Sequence, residues 1–267
     1  MSDNEPQFLD VGEGATRRRI AYLSAPPKTP DGPGLFWLIG LKSDMASTKA
    51  AALAEWTAVR GIGFTRFDYS GHGASGGRFE DATIGDWLEE AEAVSTHVTR
   101  GPQIVVGSST GGHIALLLLR RLMEESPAEV ERIKGLVLIA PAWDLTEELM
   151  WKVFPAAARE EIMEKGVWFR PSPYDPAGYA ITRRFIEEGR NHLLARRPFN
   201  PGRPIAILQG AQDVDVPLAH ARALASVLEG GWVTLTEVPD GEHRLSRPED
   251  LELLYGLITS QLAVIAT

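Results

Sequence analysis

The sequence contains no cysteine among its 267 residues. This absence excludes disulfide bonds, thiolate metal sites and a cysteine nucleophile, so covalent catalysis would have to use another side chain. Long apolar runs are also missing, since even residues 114–119 form a run that is too short to span a bilayer. We therefore expect neither a thiol enzyme nor a membrane-spanning protein.

Basic side chains are outnumbered by acidic ones. The chain has 27 Lys and Arg against 36 Asp and Glu, which gives a formal net charge of -9. A nucleic-acid partner requires a basic surface, so this balance argues against one. The apolar fraction of 44% is ordinary for a soluble globular protein, and a chain of this length is expected to form a single domain, residues 1–267. No feature of the sequence indicates the oligomeric state.

The N-terminal segment MSDNEPQFLDVGEG is acidic. It lacks both the apolar core of a secretory signal and the arginine-rich, acid-poor character of a mitochondrial presequence. A cytoplasmic location is the expectation that follows.

Short apolar runs alternate with longer amphipathic stretches, which is the pattern of a parallel sheet covered by helices. The predicted fold class is therefore α/β. The predicted strands are residues 20–23, 35–39, 63–67, 104–107, 136–139, 205–208 and 232–238. The predicted helices are residues 49–60, 86–98, 111–125, 216–228 and 248–264. Gly61 is expected to end the first helix and Thr83 to cap the second, with Pro248 at the start of the last.

The stretch from residue 141 to residue 204 interrupts this alternation. It shows no clear strand pattern, contains Trp143, Trp151 and Trp168, and has helical patterns near residues 147–165 and 180–195. More than sixty residues is long for a simple connection in a compact domain. We expect residues 141–203 to form a helical cap over the carboxyl ends of the strands; two ordinary connecting helices are the alternative.

Residues 104–112 have the pattern of a strand, a sharp turn and a helix. Within them, Gly107-Ser108-Ser109-Thr110-Gly111 matches the Gly-x-Ser-x-Gly pattern of a nucleophile elbow centred on Ser109. The flanking glycines leave room for a strained turn, which places the hydroxyl at a helix N-terminus where the dipole favours developing negative charge. Ser109 is the predicted nucleophile and the Thr110 N–H one oxyanion donor. A glycine-rich turn without catalysis is the alternative.

A serine nucleophile needs a histidine base, and the histidine needs an acid to orient it. In this architecture the acid and then the base follow the serine along the chain. His243 fits as the base because it lies in a polar loop between the last predicted strand and the last predicted helix. The other histidines are less suitable: chain order excludes His72 and His97, His113 and His220 lie within predicted helices, and His192 lies in the expected cap.

Two aspartates follow the predicted strand 205–208. Asp213 is the better candidate for the acid, because it stands three residues past the turn-forming Gly210. Asp215 stands directly before a predicted helix and is expected to cap it. Asp144, after the strand that ends at residue 139, is a weaker alternative.

A second oxyanion donor is expected from the loop after the predicted strand 35–39. Gly40 gives this loop room to bend over the nucleophile, and the Leu41 N–H is the donor that we predict. The loop lacks a His-Gly-Gly-Gly pattern, so this prediction depends on the position of the loop.

Three stretches resemble a known family. Residues 66–77 (RFDYSGHGASGG), 107–112 (GSSTGG) and 210–217 (GAQDVDVP) are similar to segments of α/β hydrolases, in particular of the group of palmitoyl-protein thioesterases and acyl-glucuronide esterases. The resemblance covers essentially the whole chain and implies an α/β-hydrolase fold without a cofactor or metal. It also implies a structural role for residues 68–77, with His72 as an organiser of that loop. The site residues that it implies are Ser109, Asp213 and His243 as a triad and Leu41 and Thr110 as backbone donors.

The expected reaction is attack of Ser109 on the carbonyl of a small-molecule ester or thioester, followed by hydrolysis of the acyl-enzyme by water that His243 activates. Aromatic residues of the cap region fit an apolar acyl or aryl pocket, or simple packing; they are Trp143, Trp151, Phe154, Trp168 and Phe169. Two other functions stay open. One is hydrolysis of a carbon–carbon bond by the same triad, and the other is ligand binding without catalysis.

Overall fold

One eight-stranded sheet organises the chain in the computed structural model, which describes residues 5–171 and 178–265. The strands in chain order are β1 (Gln7–Val11), β2 (Arg18–Ala25), β3 (Gly34–Leu38), β4 (Gly63–Phe67), β5 (Gln103–Ser108), β6 (Ile133–Ile139), β7 (Val167–Arg170), β8 (Tyr179–Thr182), β9 (Ile205–Gly210) and β10 (Val233–Val238). The order across the sheet is β1-β2-β4-β3-β5-β6-β9-β10. Strands β7 and β8 form a separate antiparallel pair.

The sheet is parallel from β4 to β10 and antiparallel where β1 and β2 join it. All residues of β3, β5 and β9 are buried, as expected for parallel strands with helices on both faces. The sequence prediction missed β1, whose residues are mostly exposed at the sheet edge and therefore show no continuous apolar run. The carboxyl ends of the neighbouring strands β3 and β5 both carry loops that meet at Ser109, a common location for ligand sites in such sheets.

Eight α-helices are seen in the described residues. They are α1 (Thr48–Arg60), α2 (Ile84–His97), α3 (Thr110–Glu125), α4 (Pro127–Val130), α5 (Ala156–Lys165), α6 (Arg183–Gly189), α7 (Leu218–Val227) and α8 (Pro248–Ile265). Gly61 ends α1 in the left-handed conformation, and Thr83 caps α2 through a reciprocal pair of hydrogen bonds with Asp86. These two predicted helix boundaries, and Pro248 at the start of α8, are confirmed.

The predicted start of the helix after β9 is wrong. Helix α7 begins at Leu218, and Pro217 occupies the N-cap position with an extended backbone, so Asp215 does not cap it. A proline disfavours helical backbone angles in the residue before it, which keeps Val216 out of the helix.

The segment between β6 and β9 contains less helix than predicted. A π-helical turn (Thr146–Trp151) precedes Pro155, which separates it from α5, and Tyr179–Thr182 pairs with Val167–Arg170 as β-structure. The helix predicted over residues 180–195 is therefore wrong in its first part, because aromatic and β-branched side chains favour the strand pair there. No helix in the described ranges 5–171 and 178–265 is long and apolar enough to cross a membrane.

Candidate active site

Ser109 occupies the turn between β5 and α3. Its backbone has φ 54° and ψ -117°, a conformation that non-glycine residues rarely adopt. Three hydrogen bonds hold it there: the Ser109 N–H donates to the Ile139 carbonyl at 2.8 Å, and the Ser109 carbonyl accepts from the N–H groups of Gly112 at 2.9 Å and Ala142 at 3.0 Å. The strained turn is therefore fixed by the ends of two strands and a helix.

The two glycines of the motif are required by close backbone approach. A Cβ atom on Gly107 would lie 2.4 Å from the Gly111 carbonyl oxygen, and one on Gly111 would lie 2.1 Å from the Leu38 carbonyl oxygen. Both distances are far inside van der Waals contact, and the obstructing atoms belong to the backbone. The Gly-x-Ser-x-Gly spacing thus reflects the packing of β3, β5 and the first turn of α3.

Replacing Gly111 with alanine is expected to lower the free energy of unfolding by about 3 kcal/mol or more, because backbone atoms around a rigid turn cannot move away from the added methyl group. Urea denaturation measures the change. Gly256→Ala is the matched control, since this exposed glycine within α8 has no atom within 4 Å of its Cβ position. Alanine there is expected to stabilise the protein by about 0.5–1 kcal/mol. Equal stability of both variants would contradict the packing argument.

His243 lies between Ser109 and Asp213. Its Nε2 atom is 3.1 Å from the Ser109 hydroxyl oxygen, and its Nδ1 atom is 2.8 Å from Oδ2 of Asp213. The Asp213 carboxylate can only accept, so Nδ1 carries the proton and Nε2 presents a lone pair to the serine hydroxyl. The Asp213 side chain is fully buried, whereas the His243 side chain is 27% exposed. The arrangement can remove a proton from Ser109 and stabilise the imidazolium that forms.

The loop after β9 fixes the Asp213 carboxylate. Oδ1 of Asp213 accepts from the N–H groups of Asp215 at 2.9 Å and Val216 at 2.8 Å, and Oδ2 accepts from the Gln209 side-chain amide at 3.1 Å. Gln209 is fully buried and also donates to the Val216 carbonyl at 2.9 Å. Gln209 was not predicted from the sequence, although a polar residue in the otherwise apolar run of β9 is a usable signal.

Asp215 also lies near His243. One atom each of Asp213, Asp215 and His243 lie within 4.8 Å of one another. The Asp215 side chain is half exposed and lies 4.0 Å from the Arg170 guanidinium of β7, whereas the buried Asp213 accepts from His243 directly. Of the two aspartates that the sequence left as alternatives, Asp213 is the one in hydrogen-bond contact with His243.

Two cations hold the loop that carries His243. Arg247 pairs with Asp240 at 2.7 Å and with Asp250 at 2.8 Å, and so joins the two ends of the loop. From α1, the Lys49 ammonium donates to the carbonyl of Arg244, directly after the base. Burial lowers the pKa of Lys49 to about 8. Neither cation was predicted from the sequence, because their partners lie in other elements or on the far side of a loop.

Asp144 and His113 belong to a separate buried cluster. Asp144 accepts from the N–H groups of Leu194 at 2.6 Å and Ala195 at 3.1 Å, and lies 3.6 Å from the His113 ring. The His113 Nε2 lies 3.1 Å from the His192 carbonyl, and burial lowers the His113 pKa to about 3, so the ring is neutral. This cluster connects α3 and the loop after β6 to the segment before β9, and both side chains are engaged there rather than at Ser109.

The loop of residues 40–47, which follows β3, lies directly against Ser109. A Cβ atom on Gly40 would be 3.3 Å from the Ser109 Cβ and from the Ser108 carbonyl oxygen. Thr110 is the first residue of α3, so its N–H has no acceptor within the helix. Leu41 follows Gly40 in a turn and is half-buried. The two predicted donors, Leu41 and Thr110, therefore belong to the two chain segments that meet at Ser109, and their role as oxyanion donors stays a prediction.

Comparisons with known proteins agree with this architecture. A family described as serine aminopeptidase, S33, matches residues 44–172. The mouse protein named palmitoyl-protein thioesterase ABHD10, mitochondrial, is 32% identical over 251 residues, which are 93% of this chain and 80% of the mouse protein. The human protein of the same name is 31% identical over 249 residues, which are 93% of this chain and 78% of the human protein.

Two solved structures extend the comparison to the fold. A putative hydrolase from Agrobacterium vitis S4 superposes with a TM-score of 0.92 at 42% identity, covering 97% of this chain and 98% of that one. Mouse alpha/beta hydrolase domain-containing protein 10 superposes with a TM-score of 0.83 at 31% identity, covering 98% and 99%. The predicted α/β-hydrolase fold and the family resemblance are confirmed. The chain belongs to the α/β-hydrolase family that includes palmitoyl-protein thioesterase ABHD10.

Proposed function

We propose that this protein hydrolyses carboxylic esters and thioesters, with Ser109 as nucleophile, His243 as general base and Asp213 as the acid that orients His243. The proposal is supported above all by two consecutive hydrogen-bond contacts. Ser109 Oγ lies 3.1 Å from His243 Nε2, and His243 Nδ1 lies 2.8 Å from Oδ2 of Asp213. The mouse and human relatives are named thioesterases, which supports the substrate class.

The first half-reaction acylates the serine. Ser109 Oγ forms a bond to the carbonyl carbon while its proton passes to His243 Nε2, and the carbonyl oxygen becomes an oxyanion facing the Leu41 and Thr110 N–H groups. Collapse of this intermediate breaks the bond to the leaving oxygen or sulfur. His243 donates its proton to that atom, so an alcohol or thiol departs and the acyl group stays on Ser109.

The second half-reaction releases the acid. A water molecule takes the position of the leaving group, gives a proton to His243 Nε2 and forms a bond to the acyl carbon. Collapse of the second oxyanion breaks the bond to Ser109 Oγ, which recovers its proton from His243. The products are the carboxylic acid and the unchanged enzyme.

We further propose that residues 141–203, of which 172–177 lie outside the described residues, form a cap that shapes the acyl pocket. Arg170 of β7 lies 4.0 Å from Asp215, so this strand pair lies beside the loop that carries the acid. Trp168 lies on the same face of β7 as Arg170 because strand side chains alternate, and its ring packs on Phe154 with centroids 4.9 Å apart. Phe169 lies on the opposite face and is 57% exposed, which makes Trp168 the better candidate for a pocket wall.

A substrate panel tests the proposal. An aryl ester and a thioester with the same acyl chain are compared with a vinylogous diketone, the substrate type of carbon–carbon bond hydrolases. We expect release of the carboxylic acid from both acyl substrates. Turnover of the diketone alone would favour the other reaction of the same triad, and tight binding of an acyl substrate without turnover would indicate a ligand-binding protein.

A further inference from the structure

Two loops at the carboxyl edge of the sheet are joined beside the nucleophile. The first loop, residues 40–47, follows β3, and the second loop, residues 68–77, follows β4. The second loop accepts two backbone N–H groups from the first: Asp68 Oδ1 accepts from Met45 at 2.6 Å, and His72 Nε2 accepts from Lys42 at 3.1 Å. The contact to Lys42 lies one residue from Leu41, the predicted oxyanion donor.

Lys42 has a backbone conformation that needs support. Its φ is 57°, in the left-handed region that lysine seldom adopts. Two contacts hold it: its N–H donates to His72, and its ammonium lies 4.2 Å from the centre of the Phe79 ring. Without the hydrogen bond to His72, only one contact would hold the strained backbone of Lys42, and the neighbouring peptide of Leu41 would lose its fixed orientation.

The environment of His72 keeps its Nε2 atom available as a hydrogen-bond acceptor for the Lys42 N–H. The residue is 5% exposed and is surrounded by the rings of Tyr69, Phe79 and Trp87, with centroids 5.2 to 6.0 Å away. Its Nδ1 lies 3.2 Å from the Ser70 carbonyl, which fixes the proton on Nδ1 and leaves a lone pair on Nε2. Burial lowers the pKa of His72 to about 4, so the ring is neutral at physiological pH.

We propose that His72 is a positioning residue for the oxyanion hole: by accepting the Lys42 N–H, it holds the Lys42 turn and directs the Leu41 N–H toward the oxyanion that forms above Ser109. His72 would act through the Lys42 N–H, the group with which its Nε2 is in contact. The inference rests on the proposed hydrolase function, because it assigns His72 to one part of that machinery.

Two substitutions distinguish the effect of the His72 acceptor atom from the effect of its aromatic ring. His72→Phe keeps an aromatic ring among Tyr69, Phe79 and Trp87 but removes the acceptor, whereas His72→Gln retains an acceptor oxygen at a similar reach. Trp87→Phe is the matched control, since it removes the hydrogen bond from Trp87 Nε1 to the Ser70 carbonyl in the same cluster but keeps the His72 acceptor and an aromatic ring beside it. For each variant we would measure kcat and KM for an aryl ester, and the inhibition constant of a trifluoromethyl ketone, which forms an oxyanion on the serine.

We expect His72→Phe to lower kcat about 10- to 100-fold, somewhat less than complete loss of an oxyanion donor, which costs about 10²- to 10³-fold. KM should stay within about threefold, because substrate binding does not depend on the oxyanion. The inhibition constant of the ketone should rise in parallel with the loss in kcat. His72→Gln should recover most of both losses, and Trp87→Phe should change only thermal stability.

Three results would overturn the proposal. One is unchanged kcat and ketone affinity in a folded His72→Phe variant, and another is an equal loss in Trp87→Phe, which would show general loosening of the cluster. The third needs no variant: fast hydrogen–deuterium exchange at the Lys42 amide in the unmodified protein would contradict the bond itself. Failure of the hydrolase function is a distinguishable outcome, since the unmodified protein would then turn over no ester at all.

Discussion

Substituting Ser109 with alanine is expected to lower kcat/KM for ester hydrolysis by about 10⁴- to 10⁶-fold, because the proposed acyl-enzyme forms on the Ser109 hydroxyl. The Ser109 hydroxyl is the one that His243 Nε2 contacts at 3.1 Å. The fold should persist, since the hydrogen bonds that hold the turn use only the Ser109 backbone N–H and carbonyl. Initial rates with an aryl ester and circular dichroism of the same samples measure both expectations.

Ser108 provides the matched control for this substitution. It is the preceding residue, is 8% exposed and ends β5. We expect Ser108→Ala to retain kcat/KM within about fivefold, since this hydroxyl has no part in the proposed acylation. A Ser109→Ala variant with activity similar to that of Ser108→Ala would rule out the assigned nucleophile.

Asp213→Asn is expected to lower kcat by about 10³- to 10⁴-fold with the fold intact. The asparagine oxygen would take over the acceptor position toward the N–H groups of Asp215 and Val216, which leaves its NH₂ group facing His243. An NH₂ group donates, so Nδ1 of His243 would have to accept and Nε2 would carry the proton. In that tautomer the imidazole cannot remove the proton of Ser109. Steady-state kinetics and thermal melts of the variant measure the effect.

Asp215→Asn is the control variant, which shows whether the loss of activity depends on Asp213 rather than on any aspartate near His243. Asp215 lies near the base but is half exposed, and its carboxylate is 4.0 Å from Arg170. Its backbone N–H, which supports Asp213, is unchanged by the substitution. We expect kcat within about tenfold of the unmodified protein. If Asp215→Asn abolished turnover while Asp213→Asn retained it, the assignment of the acid would have to be reversed.

The sequence predicts those parts of the site that depend on local geometry. The glycines around Ser109 are needed because the backbones of β3 and α3 lie too close together to leave room for a Cβ atom. This local requirement is visible in the sequence as the five-residue Gly-x-Ser-x-Gly pattern. His243 was identified from its place in the chain order and from its polar loop. The preference for Asp213 over Asp215 agrees with the hydrogen bond to His243, although the reason given for Asp215, a helix cap, was wrong.

The parts that the sequence does not predict depend on contacts between distant segments. The Lys49 ammonium donates a hydrogen bond to the carbonyl of Arg244, 195 residues away, and no local sequence pattern indicates such a contact. The same holds for His72 and Lys42, 30 residues apart. The pairing of β7 with β8 was missed because four-residue strands are too short to show a reliable period. The cytoplasmic location stays a prediction, and the mouse and human relatives are both named mitochondrial.

The most direct test of the account is reaction of the protein with a fluorophosphonate, which phosphonylates an activated serine, followed by mass spectrometry of the digested protein. The contact from Ser109 through His243 to Asp213 predicts one adduct, on the peptide that contains Ser109, and fragmentation should assign it to that residue. Labelling should disappear in Ser109→Ala and persist in Ser108→Ala. An adduct on another residue, or labelling that persists in Ser109→Ala, would contradict the assignment of Ser109 as the nucleophile.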